Sequence, residues 1–187
     1  MLRDVTLSVA MAAMLLWPAF AQDSGSHDDK FEVRSTVGDL HIGKDADAQK
    51  AGLPLYPGAR PKHEKDDDPL NLGVLTESFG LKLVIAKYET DDAPSKVIAF
   101  YRDKLKKYGK VLECHTREHS DADVEINDDN ADSKELKCEG DNSGPVTELK
   151  AGTKDKQHVV AIEPKGGGSG STFALVYVYT RGKQGDI

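Results

Sequence analysis

The chain has 187 residues, with 25 Lys or Arg against 32 Asp or Glu, so its formal net charge at pH 7 is −7. Charged residues make up 30% of the sequence, which excludes an integral membrane protein. The acidic balance argues against binding to a phosphate backbone, and aromatic residues at 6% are too few for stacking on single-stranded nucleic acids.

Residues 1–21 have the pattern of a secretory signal peptide. A short basic start precedes an apolar run, and Ala19-Phe20-Ala21 supplies an A-x-A cleavage signal. The apolar run is short for a membrane span, which favours cleavage after Ala21 over an uncleaved anchor. We therefore expect a secreted or periplasmic protein with no integral membrane segment after cleavage, beginning with a disordered polar stretch at residues 22–30.

Strand patterns fill the first part of the mature chain. Residues 31–37 and 40–42 flank a Gly-Asp pair, which predicts a hairpin of two short strands. Residues 60–69 are charged and predict a loop, and two further strands are predicted at 72–79 and 81–90. Apolar residues alternate in the second of these strands, so one of its faces should be buried.

The strongest helix signal covers residues 93–108. Apolar residues recur there at steps of four, four and three, which places them on one helical face. Asp91 and Asp92 supply a capping carboxylate, and Pro94 fits the first turn. Lysines crowd the last turn, and Gly109 ends the helix. The apolar face consists of Val97, Tyr101, Leu105 and Tyr108, widened by Ile98 and Phe100.

Further strands are predicted after the helix, at 111–115, 135–138, 147–150, 157–163 and 172–180. The last segment is apolar on both faces, which is typical of a central strand. Strands, one main helix and more strands imply the α+β class, with an antiparallel β-sheet and one main amphipathic helix packed on one face. We assign this single domain to residues 31–181, with 182–187 as a frayed tail.

Cys114 and Cys138 are the two cysteines of the chain. In an oxidising compartment an even pair is most simply a disulfide, and no C-x-x-C spacing is present for metal or redox chemistry. We therefore predict one structural disulfide, which closes a loop of about 25 residues.

The segment His115-Thr116-Arg117-Glu118-His119 matches the inverted zinc-protease motif H-x-x-E-H. That chemistry needs both imidazoles on one face of a helix, whereas this segment abuts Cys114 on a predicted strand. We interpret the match as coincidence and assign no catalytic residue. His115, Glu118 and His119 are the first residues to test for a cryptic hydrolase.

An acidic loop insertion at residues 118–133 offers the hard oxygen ligands that Ca²⁺ prefers. No EF-hand register fits, because the position that requires Gly is occupied by Ile126 or by Ser133. The simplest interpretation is a solvated loop whose like charges repel. The alternative is a weak Ca²⁺ or metal site with Asp121, Asp123, Glu125, Asp128, Asn130 and Asp132 as ligands.

Two motifs stand out beside these patterns. Residues 52–59 form a GLPxYPGA segment, in which Pro57 and Gly58 fit a type II turn, and the pattern D-x-P-x-x-V-x-x-F-Y runs from Asp92 to Tyr101. Together they resemble a group of secreted bacterial proteins that have no established function. The resemblance covers residues 31–180, implies a single secreted domain and brings no activity with it. Its motif and packing residues are Tyr56, Pro57, Gly58, Phe100 and Tyr101.

These features predict a secreted or periplasmic non-catalytic domain that binds an envelope or extracellular partner, or is associated with the envelope. Two alternatives stay open, namely a Ca²⁺- or metal-binding module that uses the acidic loop, and a cryptic hydrolase. No cofactor is expected apart from a weakly bound Ca²⁺, and no nucleic-acid partner is expected.

Overall fold

The computed structural model describes residues 30–62, 68–117, 135–138, 140–166 and 169–182. Of these residues, 51% lie in β-strands and 12% lie in helices. The predicted α+β class is wrong, because the protein is mostly β and is built on one nine-stranded antiparallel sheet.

The strands and helices follow each other along the chain in a simple order. The strands are β1 (Lys30–Ser35), β2 (Gly38–Gly43), β3 (Arg60–Pro61), β4 (Leu70–Thr76), β5 (Gly80–Thr90), β6 (Leu112–Thr116), β7 (Val146–Thr153), β8 (Lys156–Pro164) and β9 (Ser171–Arg181). Helix α1 lies between β5 and β6, spans Pro94–Leu105 and continues into the 3-10 turn Lys106–Tyr108. Residues 135–138, predicted as a strand, are not in one.

The sheet joins the first and last parts of the chain. Its strands lie in the order β1-β2-β4-β5-β9-β8-β7-β6. On the side of β5 away from β9, β4 pairs with residues 80–85 and β3 pairs with residues 88–89. The long β5–β9 ladder is therefore the centre of the sheet, and β1 and β6 are its two edges.

Helix α1 packs on one face of the sheet, against β7 and β8. The apolar spacing of the helix brings Val97, Tyr101 and Leu105 to this interface, where all three side chains are fully buried. The segment that follows β2 crosses the same face and adds small and aromatic residues. The core there also includes Ala51, Leu53, Tyr56, Leu149, Val160, Ile162, Phe173 and Leu175.

The opposite face of the sheet is apolar as well. Val159, Val176 and Val178 are each 1% exposed there, and Leu83 and Ile85 pack against them. A helix of 12 residues is about 18 Å long, whereas eight adjacent strands span about 34 Å. One short helix covers only part of one face of such a sheet, which is why the predicted helix-on-sheet class fails.

The start of α1 also differs from the predicted capping arrangement. Ala93 occupies the N-cap position, no side chain caps the helix, and Pro94 lies in the first turn. Asp92 Oδ1 accepts a hydrogen bond from Lys96 Nζ at 2.6 Å, and its Oδ2 accepts one from the Tyr56 hydroxyl at 2.9 Å. The carboxylate predicted as a cap therefore fastens the GLPxYPGA segment to the helix.

Candidate functional site

Strands β1, β2 and β4 form a three-stranded unit at one edge of the sheet, which we call the ribbon. A two-residue turn places Ser35 opposite Gly38, and Gly38 in turn lies opposite Thr76. Helix α1 contacts β7 and β8, on the other side of the β5–β9 ladder. The ribbon therefore lies outside the helix-covered core.

Alternation along the ribbon sorts polar and apolar side chains onto opposite faces. In β1, residues 30, 32 and 34 are charged and share one face, while Phe31 and Val33 share the other. Directly paired residues point to the same face, so the register aligns their side chains in rows. One row is Phe31, Ile42, Leu72, Leu83 and Val178, and the next is Val33, Leu40, Val74 and Leu81.

Six of these side chains make up what we call the apolar face, which consists of Phe31, Val33, Leu40, Ile42, Leu72 and Val74. Phe31 is 57% exposed, Val33 43% and Ile42 40%, whereas Val178, in the same row as Phe31, is 1% exposed. One apolar surface thus begins in the buried sheet and ends in solvent at β1. A contiguous exposed apolar patch of this kind is typical of an interaction site.

The polar face of the ribbon is held by a hydrogen-bonded network. Asn71, which is 9% exposed, donates to Asp45 Oδ1 at 3.0 Å, and its amide nitrogen lies 3.3 Å from His41 Nε2. His41 Nδ1 lies 3.2 Å from Glu32 Oε1, and Asp45 also accepts from Lys50 Nζ at 2.5 Å. These contacts tie all three strands of the ribbon to the segment that follows β2.

Asp45 stays ionised in this network. The Lys50 ammonium and the Asn71 amide hold the pKa of the Asp45 carboxyl well below its usual range, against a smaller opposing effect of burial. Beside the network, a pocket of about 260 Å³ opens at Gly73, and its lining includes the polar residues Glu32, Arg34, Asp39 and His41 together with Leu40 and Leu75. The polar face therefore combines charges held by mutual contacts with a small pocket.

The predicted disulfide is present between Cys114 and Cys138, with their Cα atoms 5.4 Å apart. Cys114 is buried in β6 and pairs with Glu148 of β7. Glu148 Oε2 lies 3.2 Å from Lys150 Nζ, and the two side chains are 2% and 4% exposed. The bridge therefore fastens the edge strand β6 beside a buried ion pair.

Of the residues considered for a metal site or a cryptic hydrolase, only His115 lies in the described part of the chain. His115 lies on β6, a strand, and its backbone N–H donates to Asn142 Oδ1 at 2.7 Å. Glu118 and His119 lie outside the described residues. In the ranges that the structure describes, no group of three or more His, Cys, Asp or Glu side chains is placed to hold a metal ion. The predicted Ca²⁺ ligands also lie outside those ranges, namely Asp121, Asp123, Glu125, Asp128, Asn130 and Asp132.

The motif aromatics are core residues. The Tyr101 hydroxyl accepts from the Tyr56 backbone N–H at 3.1 Å and donates to the Pro54 carbonyl at 3.2 Å. Phe100 packs edge-on against the Tyr56 ring with centroids 5.2 Å apart, and Phe173 lies 5.6 Å from Tyr101. Burial raises the pKa of Tyr101. These contacts hold the GLPxYPGA segment against the helix and the sheet.

The turn in that segment has type II geometry. Gly58 has a φ of 76°, and the Ala59 N–H donates to the Tyr56 carbonyl at 3.0 Å across Pro57. The turn is exposed at Pro57 and Gly58, so it reverses the chain without contributing to the core.

His158 is a buried histidine on β8. His158 is 3% exposed, and its Nδ1 donates a hydrogen bond to the Ala51 carbonyl at 3.0 Å. The ring stacks on Tyr108 with centroids 3.6 Å apart, and Nε2 has no hydrogen-bond partner among the described atoms. Burial lowers the pKa of His158 to about 4, so the imidazole is neutral near pH 7.

None of the residues on the apolar face is among the predicted site residues, although the hairpin itself is predicted. The signal lies in the strict alternation of charged and apolar residues along β1, KFEVRS, which is an amphipathic strand pattern. The pattern shows that one face is apolar, but only the structure shows that β1 is a sheet edge and that this face is exposed.

No family model, curated protein or solved structure matches this chain. The resemblance to secreted bacterial proteins therefore stays a prediction. Among the described residues, the single α-helix is too short and too polar to cross a membrane.

Proposed function

We propose that this protein is an exported, non-catalytic binding domain that uses the apolar face of the ribbon to bind an apolar surface on a partner protein. One observation carries the proposal, namely that the row from Val178 to Phe31 passes from 1% to 57% exposure without a break in its apolar character. A partner that covers the outer end of this row would continue an existing packed surface.

The exposed side chains of this face can supply part of the energy of a complex. Complete burial of one large apolar side chain stabilises a complex by about 1.5–3 kcal/mol, and Phe31, Val33 and Ile42 are each about half exposed. Covering these three alone would contribute about 3 kcal/mol, and Phe31 supplies an aromatic anchor of the kind found at binding hot spots. The fixed network on the polar face lowers the entropy that binding would cost.

A protein partner fits the charge of the molecule better than a membrane does. The net charge of −7 opposes approach to an anionic lipid surface. The disulfide supports an oxidising compartment, which agrees with the predicted signal peptide. The Ca²⁺ and hydrolase alternatives depend on residues 118–133, which the described structure does not include, so no observation favours them here.

The test is photo-crosslinking from single positions in cells that make the protein. A photoreactive residue at Ile42 should give a discrete adduct with one partner, and the same residue at Leu55 should not, although Leu55 is also 44% exposed. Adding the change Phe31→Ser should reduce the adduct from Ile42 at least tenfold, because it removes the anchor from the same row. Equal crosslinking from both positions, or an adduct unaffected by Phe31→Ser, would overturn the proposal.

A further inference from the structure

The edge strand β1 has the pattern of a self-pairing surface. Among the described residues, β1 pairs only with β2, so its outer row of backbone groups faces away from the sheet. All six of its side chains are exposed, and it contains neither Pro nor Gly. Natural edge strands are shielded by charged side chains, prolines, bulges or a covering segment. Of the first two, β1 has charged side chains alone, and charges that repel an unrelated strand can pair with the opposite charges of a second copy.

We infer that β1 pairs antiparallel with β1 of a second copy of this chain, about a two-fold axis at Val33. In this register Val33 lies opposite Val33, Phe31 opposite Ser35, and Glu32 opposite Arg34 on both sides of the axis. Each copy thus supplies one acidic and one basic partner to two symmetric cross-strand pairs. An isologous contact of this kind closes on itself and gives a dimer.

Charge selects this register over its neighbours. Moving the axis to Glu32 places Glu32 opposite Glu32 and Lys30 opposite Arg34, which is repulsive at both kinds of pair. In a register that places Glu32 opposite Val33, the apolar face of one copy would lie on the same side as the polar face of the other. A register centred on Phe31 pairs only residues 30–32 of the strand. The Val33 register is the one that uses most of β1 with opposite charges matched.

Pairing at Val33 also joins the two apolar faces. Directly opposite residues in an antiparallel pair point to the same side, so Phe31 and Val33 of both copies lie on one surface. The polar faces likewise meet on the other side, where the Glu32 and Arg34 side chains are 50% and 79% exposed and have room to exchange partners. This inference deepens the proposed function, because the dimer would offer the partner one apolar surface of twice the size.

Charge exchange tests the pairing in the purified mature chain by sedimentation equilibrium. Glu32→Arg or Arg34→Glu alone turns both attractive cross-strand pairs into repulsive pairs. Each change should therefore weaken the dimer about tenfold. An equimolar mixture of the two variants should restore wild-type association. In the mixed dimer the introduced arginine faces the introduced glutamate, and the remaining native Arg34 of one copy faces the remaining native Glu32 of the other. A variant that fails to fold could not be rescued in this way.

A cysteine at the axis tests the register. Both native cysteines are in the disulfide, so Val33→Cys adds the one free thiol. The two thiols should meet across the axis and oxidise to a covalent dimer much faster than Val37→Cys, whose position is 75% exposed but lies in the turn. A wild-type chain that is monomeric at every accessible concentration, a mixture that does not re-associate, or equal oxidation rates would overturn the inference. The monomeric Arg34→Glu variant keeps both the apolar face and the contact between Glu32 and His41, so its crosslinking from Ile42 tests the proposed function separately.

Discussion

Acid should weaken this fold through His158, because the histidine is held neutral. The ring is 3% exposed, donates from Nδ1 to Ala51 and stacks on Tyr108. Lys107 and Lys156 are the charged groups that act on it, and both oppose a second positive charge. Burial is the main cause of the lowered pKa, about 4 in the folded chain against 6.5 when exposed.

The sign and size of the effect follow from these two pKa values. Between pH 6.5 and 4 the unfolded chain binds a proton that the folded chain does not, so the free energy of unfolding falls as the pH falls. The loss should be about 2 kcal/mol at pH 5 and about 3 kcal/mol near pH 4. Above pH 6.5 His158 is neutral in both the folded and the unfolded chain, so it causes no loss of stability there. The Asp45 carboxyl also has a lowered pKa, and its protonation reduces the free energy of unfolding only at a pH below this range.

Urea unfolding at a series of pH values measures this slope. We expect His158→Phe to lower stability at pH 7, since the Ala51 carbonyl loses its donor, but to flatten the dependence between pH 6.5 and 4. His115→Gln, at a histidine whose side chain is 43% exposed, is the control and should keep the wild-type slope. An unchanged slope in His158→Phe would refute the assignment of acid sensitivity to this residue.

Three further substitutions should destabilise the protein by amounts that thermal or urea unfolding can resolve. Tyr101→Phe removes a hydroxyl that bonds two backbone groups of the 54–56 segment and should cost about 2 kcal/mol. Cys138→Ser opens a disulfide between cysteines 24 apart in sequence and should cost about 3–4 kcal/mol, and the wild-type chain with its disulfide reduced should be destabilised to the same extent. Gly152→Ala places a Cβ in steric overlap with the Lys156 carbonyl oxygen at a φ of 113° and should cost more than about 1 kcal/mol, whereas Gly166→Ala, in open space, should be neutral.

Local patterns predict the local elements of this protein well. The period of Val97, Tyr101 and Leu105 indicates the buried side of α1, and those three residues are its buried residues. Alternation indicates the β1–β2 hairpin, although its turn lies at residues 36–37 and the predicted turn pair Gly38-Asp39 belongs to β2. The two cysteines form the predicted bridge. These features depend on neighbours in sequence or on a single pair of residues, so composition and spacing are enough to find them.

Features that depend on distant partners are the ones that fail. Asp92 has the sequence context of a helix cap, but Lys96 and the hydroxyl of Tyr56, 36 residues away, take its two oxygens. The α+β class fails for the same reason. Residues 80–90 of β5 pair with residues 171–181 of β9, far along the chain, and that pairing enlarges the sheet beyond what α1 can cover. The apolar character of Phe31 is visible in the sequence, but its 57% exposure follows from the place of β1 at the sheet edge.

The row from Val178 to Phe31 contains two kinds of residue, namely buried residues that stabilise the fold and exposed residues that a partner could contact. Val178 and Leu83 lie on the two central strands, where substitution leaves a cavity that the packed sheet cannot close. Ile42 and Phe31 lie at the other end of the same row, where water already contacts much of each side chain. Removing them should cost the monomer less than removing Val178, because about half of each side chain is already in contact with water. Under the proposed function, the exposed half of Phe31 and of Ile42 is the surface that a partner would bury.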